Sequence, residues 1–256
     1  MITQYKIVLQ STEDKVIPSF WAYRLYSWLL SCIPQVEGTR LHEQGEKPVS
    51  QYISYDKENS CSVWVVNLLT DEMNNLFGPV LREIKKISLG TRILQVESLS
   101  KEEIITPQDL ITAVRQEEYS RRAELRFVTP TAFKQNGRYA IFPTPDLVIG
   151  SLLNKWELVC PEYPLWDEDA VCMLQQGVFV VDYNLRTTRY PLKNVHIPGF
   201  TGSVVFESRL TQPIQEIWKL LLHTAQYTGV GIKTTLGMGG TIYISKENSS
   251  YSGRNK

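Results

Sequence analysis

The feature that most limits what this chain can become is an order of strand-like and helix-like segments that occurs twice. In the first run Tyr5, Ile7 and Leu9 alternate with polar partners, the period of a half-buried strand. Pro18 and Ser19 then introduce a helix, with Trp21, Leu25, Trp28, Leu29 and Cys32 along one face, and Pro34 ends it. A polar, glycine-containing loop is expected over 35–48. Strands follow at 49–55 and 61–69, a helix at 74–86 with Leu76, Val80, Leu81 and Ile84 inward, and a strand at 93–96. The order is βαββαβ, a split βαβ or ferredoxin-like unit.

The polar stretch 98–122 interrupts this pattern and reads as a linker or short helix. The order then restarts. Ala123, Leu125 and Phe127 alternate with Glu124 and Arg126; a helix suits 146–158; strands suit 178–184 and 202–207. Pro213 opens a helix with Ile214, Ile217, Trp218, Leu221, Leu222 and Ala225 as its stripe, proline being tolerated in the first turn. A strand at 241–245 closes the unit. The expected fold is therefore α+β, two tandem ferredoxin-like (RRM-like, βαββαβ) domains, at 1–100 and 123–246. A linker spans 101–122, and a polar, disordered tail is expected over 247–256.

Composition narrows the function classes. At 256 residues, 43% hydrophobic and 21% charged, the chain has the make-up of an ordinary globular protein. No apolar run is long enough for a membrane helix, and the start lacks the pattern of a signal peptide. Cys32, Cys61, Cys160 and Cys172 lack metal-ligand spacing; buried thiols in a reducing cytoplasm are expected. Net charge is zero, which argues against indiscriminate coating of nucleic acid. Local separation persists, however. Arg186, Arg189, Lys193 and His196 lie in a stretch without acids, while Asp167, Glu168 and Asp169 gather elsewhere. That suits a selective binder.

Between the last helix and the last strand the chain reads Gly229-Val230-Gly231-Ile232-Lys233-Thr234-Thr235-Leu236-Gly237-Met238-Gly239-Gly240. It is neither a Walker A loop nor a dinucleotide fingerprint, because it follows a helix and opens a strand. A helix C-cap and hairpin account for Gly229 and Gly231, but leave Gly237, Gly239 and Gly240 without a role. Glycines let a backbone approach a bulky partner and expose N–H donors, so a phosphate backbone gripped by Lys233 is the expected partner.

This loop resembles the glycine-rich loop of the CRISPR-associated RNA-binding superfamily called RAMP, and the whole chain is similar to its sixth Cas family, the endoribonucleases that process CRISPR precursor RNA. Three further segments carry the resemblance. Arg126-Phe127-Val128-Thr129-Pro130-Thr131-Ala132-Phe133, followed by Phe142-Pro143, Pro145, Leu152 and Trp156, is similar to the start of that family's second domain. Pro198-Gly199-Phe200-Thr201-Gly202 resembles its motif before a late strand, and Leu41-His42-Glu43-Gln44-Gly45-Glu46-Lys47-Pro48 its histidine loop. The resemblance implies tandem ferredoxin-like domains, a CRISPR repeat RNA substrate, no cofactor, no metal and no membrane partner. It leaves room for other Cas proteins of an effector complex and for a homodimer. A non-catalytic RNA-binding subunit of the same superfamily is the alternative.

Metal-free RNA scission needs a base for the 2′-hydroxyl, an acid for the leaving 5′-oxygen and a cation near the phosphate. Histidine suits the proton transfers, and the chain has 3 of them. The resemblance favours His42, with Lys47 nearby and a tyrosine of the first helix completing the site: Tyr26, on the helix flank, or Tyr23, further toward solvent. His223, on the polar side of its helix, is a candidate for RNA contact or for capping carbonyls, and His196 is the weakest candidate. Arg186 and Arg189, in a turn or hairpin, are candidates for phosphate or guanine contacts. The RNA-binding set is thus Gly229, Gly231, Lys233, Gly237, Gly239, Arg186, Arg189 and His223.

Overall fold

The computed structural model describes residues 1–11, 16–43 and 47–245; the tail expected at 247–256 lies outside the described residues. In chain order the elements of the first unit are β1 (Ile2–Ser11), α1 (Ala22–Ser31), α2 (Gln35–Glu43), β2 (Val49–Asp56), β3 (Cys61–Leu68), α3 (Asp71–Glu83), β4 (Lys86–Leu89) and β5 (Arg92–Ile105). Helix α4 (Pro107–Gln116) leads to the second unit: β6 (Arg122–Thr131), β7 (Phe133–Gln135), β8 (Arg138–Ala140), α5 (Pro145–Val159), α6 (Glu168–Gly177), β9 (Val178–Leu192), β10 (Val195–Ser208), α7 (Gln212–Thr228) and β11 (Thr241–Ser245).

The first sheet runs β2-β3-β1-β5-β4 and the second β11-β6-β10-β9, every pair antiparallel. Setting aside the short β4, both sheets have the strand order of a split βαβ unit, so the repeated pattern is a repeated fold. Tyr5, Ile7 and Leu9 of β1 pack with Leu25 and Leu29 of α1 and Phe77 and Leu81 of α3 in one core. Leu125 and Phe127 of β6 pack with Leu152 and Trp156 of α5 and Trp218, Leu221 and Leu222 of α7 in the other.

Several expectations are corrected. The stretch at 101–122 is not a bare linker. β5 continues to Ile105, and α4 follows behind a capping box, in which Thr106 accepts from the Asp109 amide while Asp109 accepts from that of Thr106. Leu110 of α4, and Ile2, Leu69 and Ile105 from the first unit, enter the second core, so the two units share apolar packing across the boundary. The segment 35–43, expected as loop, is helix α2; its periodicity is weak because Val36 is exposed and, among its described side chains, Leu41 alone is fully buried. The face of α1 is rotated from the expected stripe: Ala22, Leu25, Tyr26 and Leu29 are buried, whereas Cys32 is exposed. Helix α3 starts a turn early, at a Thr70 side-chain cap, and ends before Lys86, which belongs to β4. Helix α6 and the β7–β8 hairpin were not anticipated. The cysteines are free, and of the four only Cys160 is buried.

Candidate functional site

The glycine loop lies against β2, the outer strand of the first sheet. Thr235 Oγ1 donates to the Val49 carbonyl at 3.0 Å, satisfying an acceptor on that strand. The buried side chain of Gln51 donates from Nε2 to Ala22 O at 2.9 Å and to Thr235 O at 2.8 Å, and its Oε1 accepts from Trp64 Nε1 at 2.8 Å. One amide group therefore ties the start of α1, the core of the first unit and the loop of the second unit together. Tyr190 OH of β9 donates to Leu236 O at 2.5 Å from the other side.

This packing changes the meaning of the glycines. Most loop amides turn inward: Gly229 to Ala225 O, Val230 to Gly239 O, Gly231 to Ser151 Oγ, Ile232 to Ala132 O, Gly239 to Pro130 O and Gly240 to Thr129 Oγ1. A Cβ at Gly237, where φ is +98°, would overlap Ala22 and lie 2.6 Å from the Tyr190 hydroxyl. A Cβ at Gly240 would lie 2.6 Å from the Tyr52 ring. The expected row of exposed donors is thus mostly spent on protein, and these glycines admit the neighbouring domain's atoms rather than an open phosphate path. Among the described residues, no hydrogen bond is made by the amides of Lys233, Thr234 and Thr235. Lys233 itself is exposed and left-handed, with φ +57°, and its carbonyl accepts from the Leu236 and Met238 amides. A non-glycine residue held there costs about 1–2 kcal/mol, which the surrounding bonds offset.

These residues line a cleft of about 290 Å³. Tyr26 reaches it from α1, Lys47 from the segment before β2, Lys155 from α5, and Lys233, Thr234 and Thr235 from the loop. None of the described lining residues is acidic. Tyr26, expected on a flank, is 3% exposed, and its hydroxyl is buried with no hydrogen-bond partner among the described residues. Burial pushes its pKa well above the ordinary phenol range, which keeps it a neutral donor. Burial also lowers the Lys47 pKa. Lys155 was not anticipated; its Nζ donates to Thr234 Oγ1 at 2.9 Å. Nothing in local sequence marks it, because a lysine on an otherwise apolar helix reads as a solvated edge.

His42 stands in the last turn of α2, rather than in a loop. Its side chain lies outside the described residues, as do residues 44–46 of the histidine segment. Tyr23, the alternative to Tyr26, instead lines a separate shallow groove with Arg24, whose Nε donates to the Tyr23 hydroxyl at 3.2 Å.

Other candidates are not brought to this cleft. His223 Nε2 is 2.7 Å from Glu117 Oε2, and the same carboxylate accepts from Tyr243 and Ser245 at 2.8 Å and pairs with Lys219 at 3.1 Å. Burial alone would raise the Glu117 pKa, but these bonds together hold it down at about 2. His223 thus joins α4, α7 and β11, and caps no helix carbonyl among the described residues. Arg186 and Arg189 lie, as the hairpin reading expected, in the β9–β10 hairpin, within strand β9 rather than in its turn, paired across to Thr201 and Pro198 of β10. Both are exposed. Strand alternation puts Arg186 on the face of Tyr190, which reaches the loop, and Arg189 on the opposite face. His196 is exposed on β10.

Among the described residues no cluster of His, Cys, Asp and Glu could hold a metal ion, and no helix is long and apolar enough to cross a membrane.

A family model described as CRISPR-associated endoribonuclease Cas6 matches residues 125–241. A CRISPR-associated endoribonuclease Cas6 of Streptococcus thermophilus is 31% identical over 220 residues, covering 86% of this chain and 89% of the relative. One from Mycobacterium tuberculosis is 29% identical over 223 residues, covering 84% and 69%. Among solved structures, a Cas6 product complex matches with a TM-score of 0.78 at 26% identity, over 96% of this chain and 100% of that one.

Proposed function

The chain belongs to the CRISPR-associated endoribonuclease Cas6 family, and from that premise we propose that it binds CRISPR repeat RNA in precursor transcripts and cuts it without a metal. The observation that carries this reading is the small cleft into which Lys47, Lys155 and Lys233 converge beside a buried phenol, with neither a partner for that phenol nor an acid in the lining among the described residues. Such a cleft attracts an anion, and a phosphodiester is the anion that this family handles.

In the proposed reaction the 2′-hydroxyl loses its proton to a base and attacks the adjacent phosphorus. The bond from phosphorus to the 5′-oxygen breaks, and that oxygen takes a proton. The products are a 2′,3′-cyclic phosphate and a 5′-hydroxyl. His42 is assigned the proton transfers, each general acid or base contributing about 10²- to 10⁴-fold. Tyr26, held neutral, donates to a phosphate oxygen. Lys47 and Lys233 meet the charge that builds on the phosphate, where preorganised donors give about 10²- to 10³-fold. The amides of Lys233, Thr234 and Thr235 add donors of the same kind. The exposed Arg186 is assigned to holding RNA that leaves the cleft, on the strength of its sharing a strand face with Tyr190. The cytoplasm, where precursor transcripts arise, is the proposed location, and other Cas proteins are proposed as recipients of the product.

The test is incubation with repeat RNA in excess chelator, using natural RNA and RNA with a single 2′-deoxy at the cut site. The natural RNA should be cut to cyclic-phosphate ends and the deoxy RNA left whole. Cleavage of the deoxy RNA refutes the mechanism. His42→Ala should keep binding and lose most of the rate; full activity would remove His42 from the site.

A further inference from the structure

The shallow groove beside α1 takes no part in the reaction above. Its described lining is Tyr23, Arg24, Ser27, Trp28 and Ser31 of α1 with residues 88–90 at the end of β4, and its volume is about 460 Å³. These α1 residues recur at helical spacing on the flank of the buried stripe of Ala22, Leu25, Tyr26 and Leu29. Trp28, expected within the stripe, is only partly buried and borders the groove. Arg24 is the one charged residue of the described lining. Its Nε donates to the Tyr23 hydroxyl at 3.2 Å, and its guanidinium carbon stands 5.6 Å from the centre of the Trp21 ring and 5.8 Å from that of Tyr23. Held in this way, the guanidinium loses little freedom when an anion arrives. Among the described residues its terminal nitrogens make no hydrogen bond, and neither does the Tyr23 proton. Ser27 Oγ donates to Tyr23 O at 3.0 Å and Ser31 Oγ to Trp28 O at 2.6 Å, so each hydroxyl keeps oxygen lone pairs for an incoming donor. A fixed cation, hydroxyl acceptors and an accessible indole are the partners of a phosphate, a base amino group and a base ring.

We propose that this groove seats an unpaired nucleotide flanking the cut, with its base against Trp28 and its phosphate on Arg24. The inference rests on the RNA-cleaving reading above. Position supports it. Tyr23 stands one turn before Tyr26 on α1, and residues so spaced are neighbours on a helix surface. Tyr23 also packs, with Leu236, against the cluster of Tyr190 and Met238, and Leu236 lines the cleft. One turn of α1 therefore separates groove from cleft, and a nucleotide in the groove lies within a few of the cut. Charge supports it too, because a cation whose described surroundings include no lining acid favours a polyanion over a neutral apolar partner. The nucleotide is unpaired because bases inside a duplex stack on one another, whereas a splayed base has a free face for an aromatic side chain.

The experiment measures binding of repeat RNA carrying a 2′-deoxy at the cut site, over a range of salt, together with melting temperature. The RNA is used at full length and with nucleotides removed in turn from either side of the cut. Arg24→Gln should weaken binding of the full RNA and flatten the dependence of log affinity on log salt by about 0.7, the release expected for one phosphate contact on a single strand. Arg24→Lys should keep that salt dependence. Trp28→Ala should weaken the full RNA about tenfold, within the range of one base stacked on an aromatic ring, and leave the salt dependence unchanged. Trp28→Phe should recover most of the affinity. On one side of the cut, removing the seated nucleotide should abolish the effect of both Arg24→Gln and Trp28→Ala. Wild-type affinity for the full RNA in either folded variant overturns the proposal. So does a loss that is equal on every shortened RNA, which marks a structural effect. If Trp28→Ala does not fold, Arg24→Gln decides alone, through its salt dependence and its coupling to the removed nucleotide. A wild-type protein that neither binds nor cuts the repeat RNA refutes the underlying reading instead.

Discussion

Replacing Gly237 with alanine should destabilise the protein by about 4 kcal/mol, through packing and without any RNA present. At φ +98° an L-residue pays about 1–2 kcal/mol for the backbone alone. The new methyl overlaps Ala22 at the start of α1 and presses on the Tyr190 hydroxyl 2.6 Å away; overpacking of this kind costs about 1–3 kcal/mol. Displacing Tyr190 also loosens its bond to Leu236 O, worth about 1 kcal/mol. The assay is urea denaturation of the purified protein, with Ala22→Gly made alone and in combination. The second change removes the methyl that Gly237→Ala strikes. The double mutant should therefore be more stable than the sum of the singles by about 1–3 kcal/mol, the overpacking that it relieves, because the roughly 0.5–1 kcal/mol that glycine costs a helix is already in the Ala22→Gly single and cancels in the cycle. If Gly237→Ala unfolds at the wild-type urea concentration yet loses RNA binding, the glycine serves the RNA directly, and the packing account is wrong.

Tyr26→Phe should leave stability unchanged or raise it by up to about 1 kcal/mol, because the hydroxyl it removes is buried with no partner among the described residues; cleavage should slow at least tenfold in single-turnover assays, and an undiminished rate would take Tyr26 out of the site. For Glu117 the carboxyl lies at about 2 in the folded protein against an ordinary 4.5. The depressed value contributes about 3 kcal/mol that is present above pH 4.5 and is lost as pH falls toward 2. Glu117→Gln should be less stable by about that amount at pH 7 and show a flatter acid limb in thermal melts across that window. Arg186→Ala should weaken repeat binding and lower the salt dependence by about 0.7, whereas Arg189→Ala, on the opposite face of β9, should do so less; filter binding at several salt concentrations separates them.

The architecture was legible because its signals are local and repeated. The alternation in Tyr5–Leu9, the stripe of α7 and the proline at its first turn each report a face that must be buried, and two βαββαβ orders leave few topologies. Helix α2 was hidden because a short helix held by Leu41 carries little periodicity, and sequence left α4 open between linker and short helix because its apolar face is satisfied by the second unit's core rather than by its neighbours in sequence. In the site, the glycine loop, Lys233, Lys47 and Tyr26 stood out by type, spacing or resemblance, and the fold brings them to one cleft.

The chain alone thus determined the two units, their order, and the loop on which the site is built, since those follow from periodicity and backbone conformation read within a few residues. Tertiary structure decided what the loop's atoms do. Whether a glycine faces RNA or Ala22, whether a histidine meets a cleft or Glu117, and whether a lysine on α5 is a solvated edge or a buried arm beside Thr234 depends on which surface arrives from far along the chain. Burial and pairing of polar groups are properties of that meeting, and no local pattern encodes them.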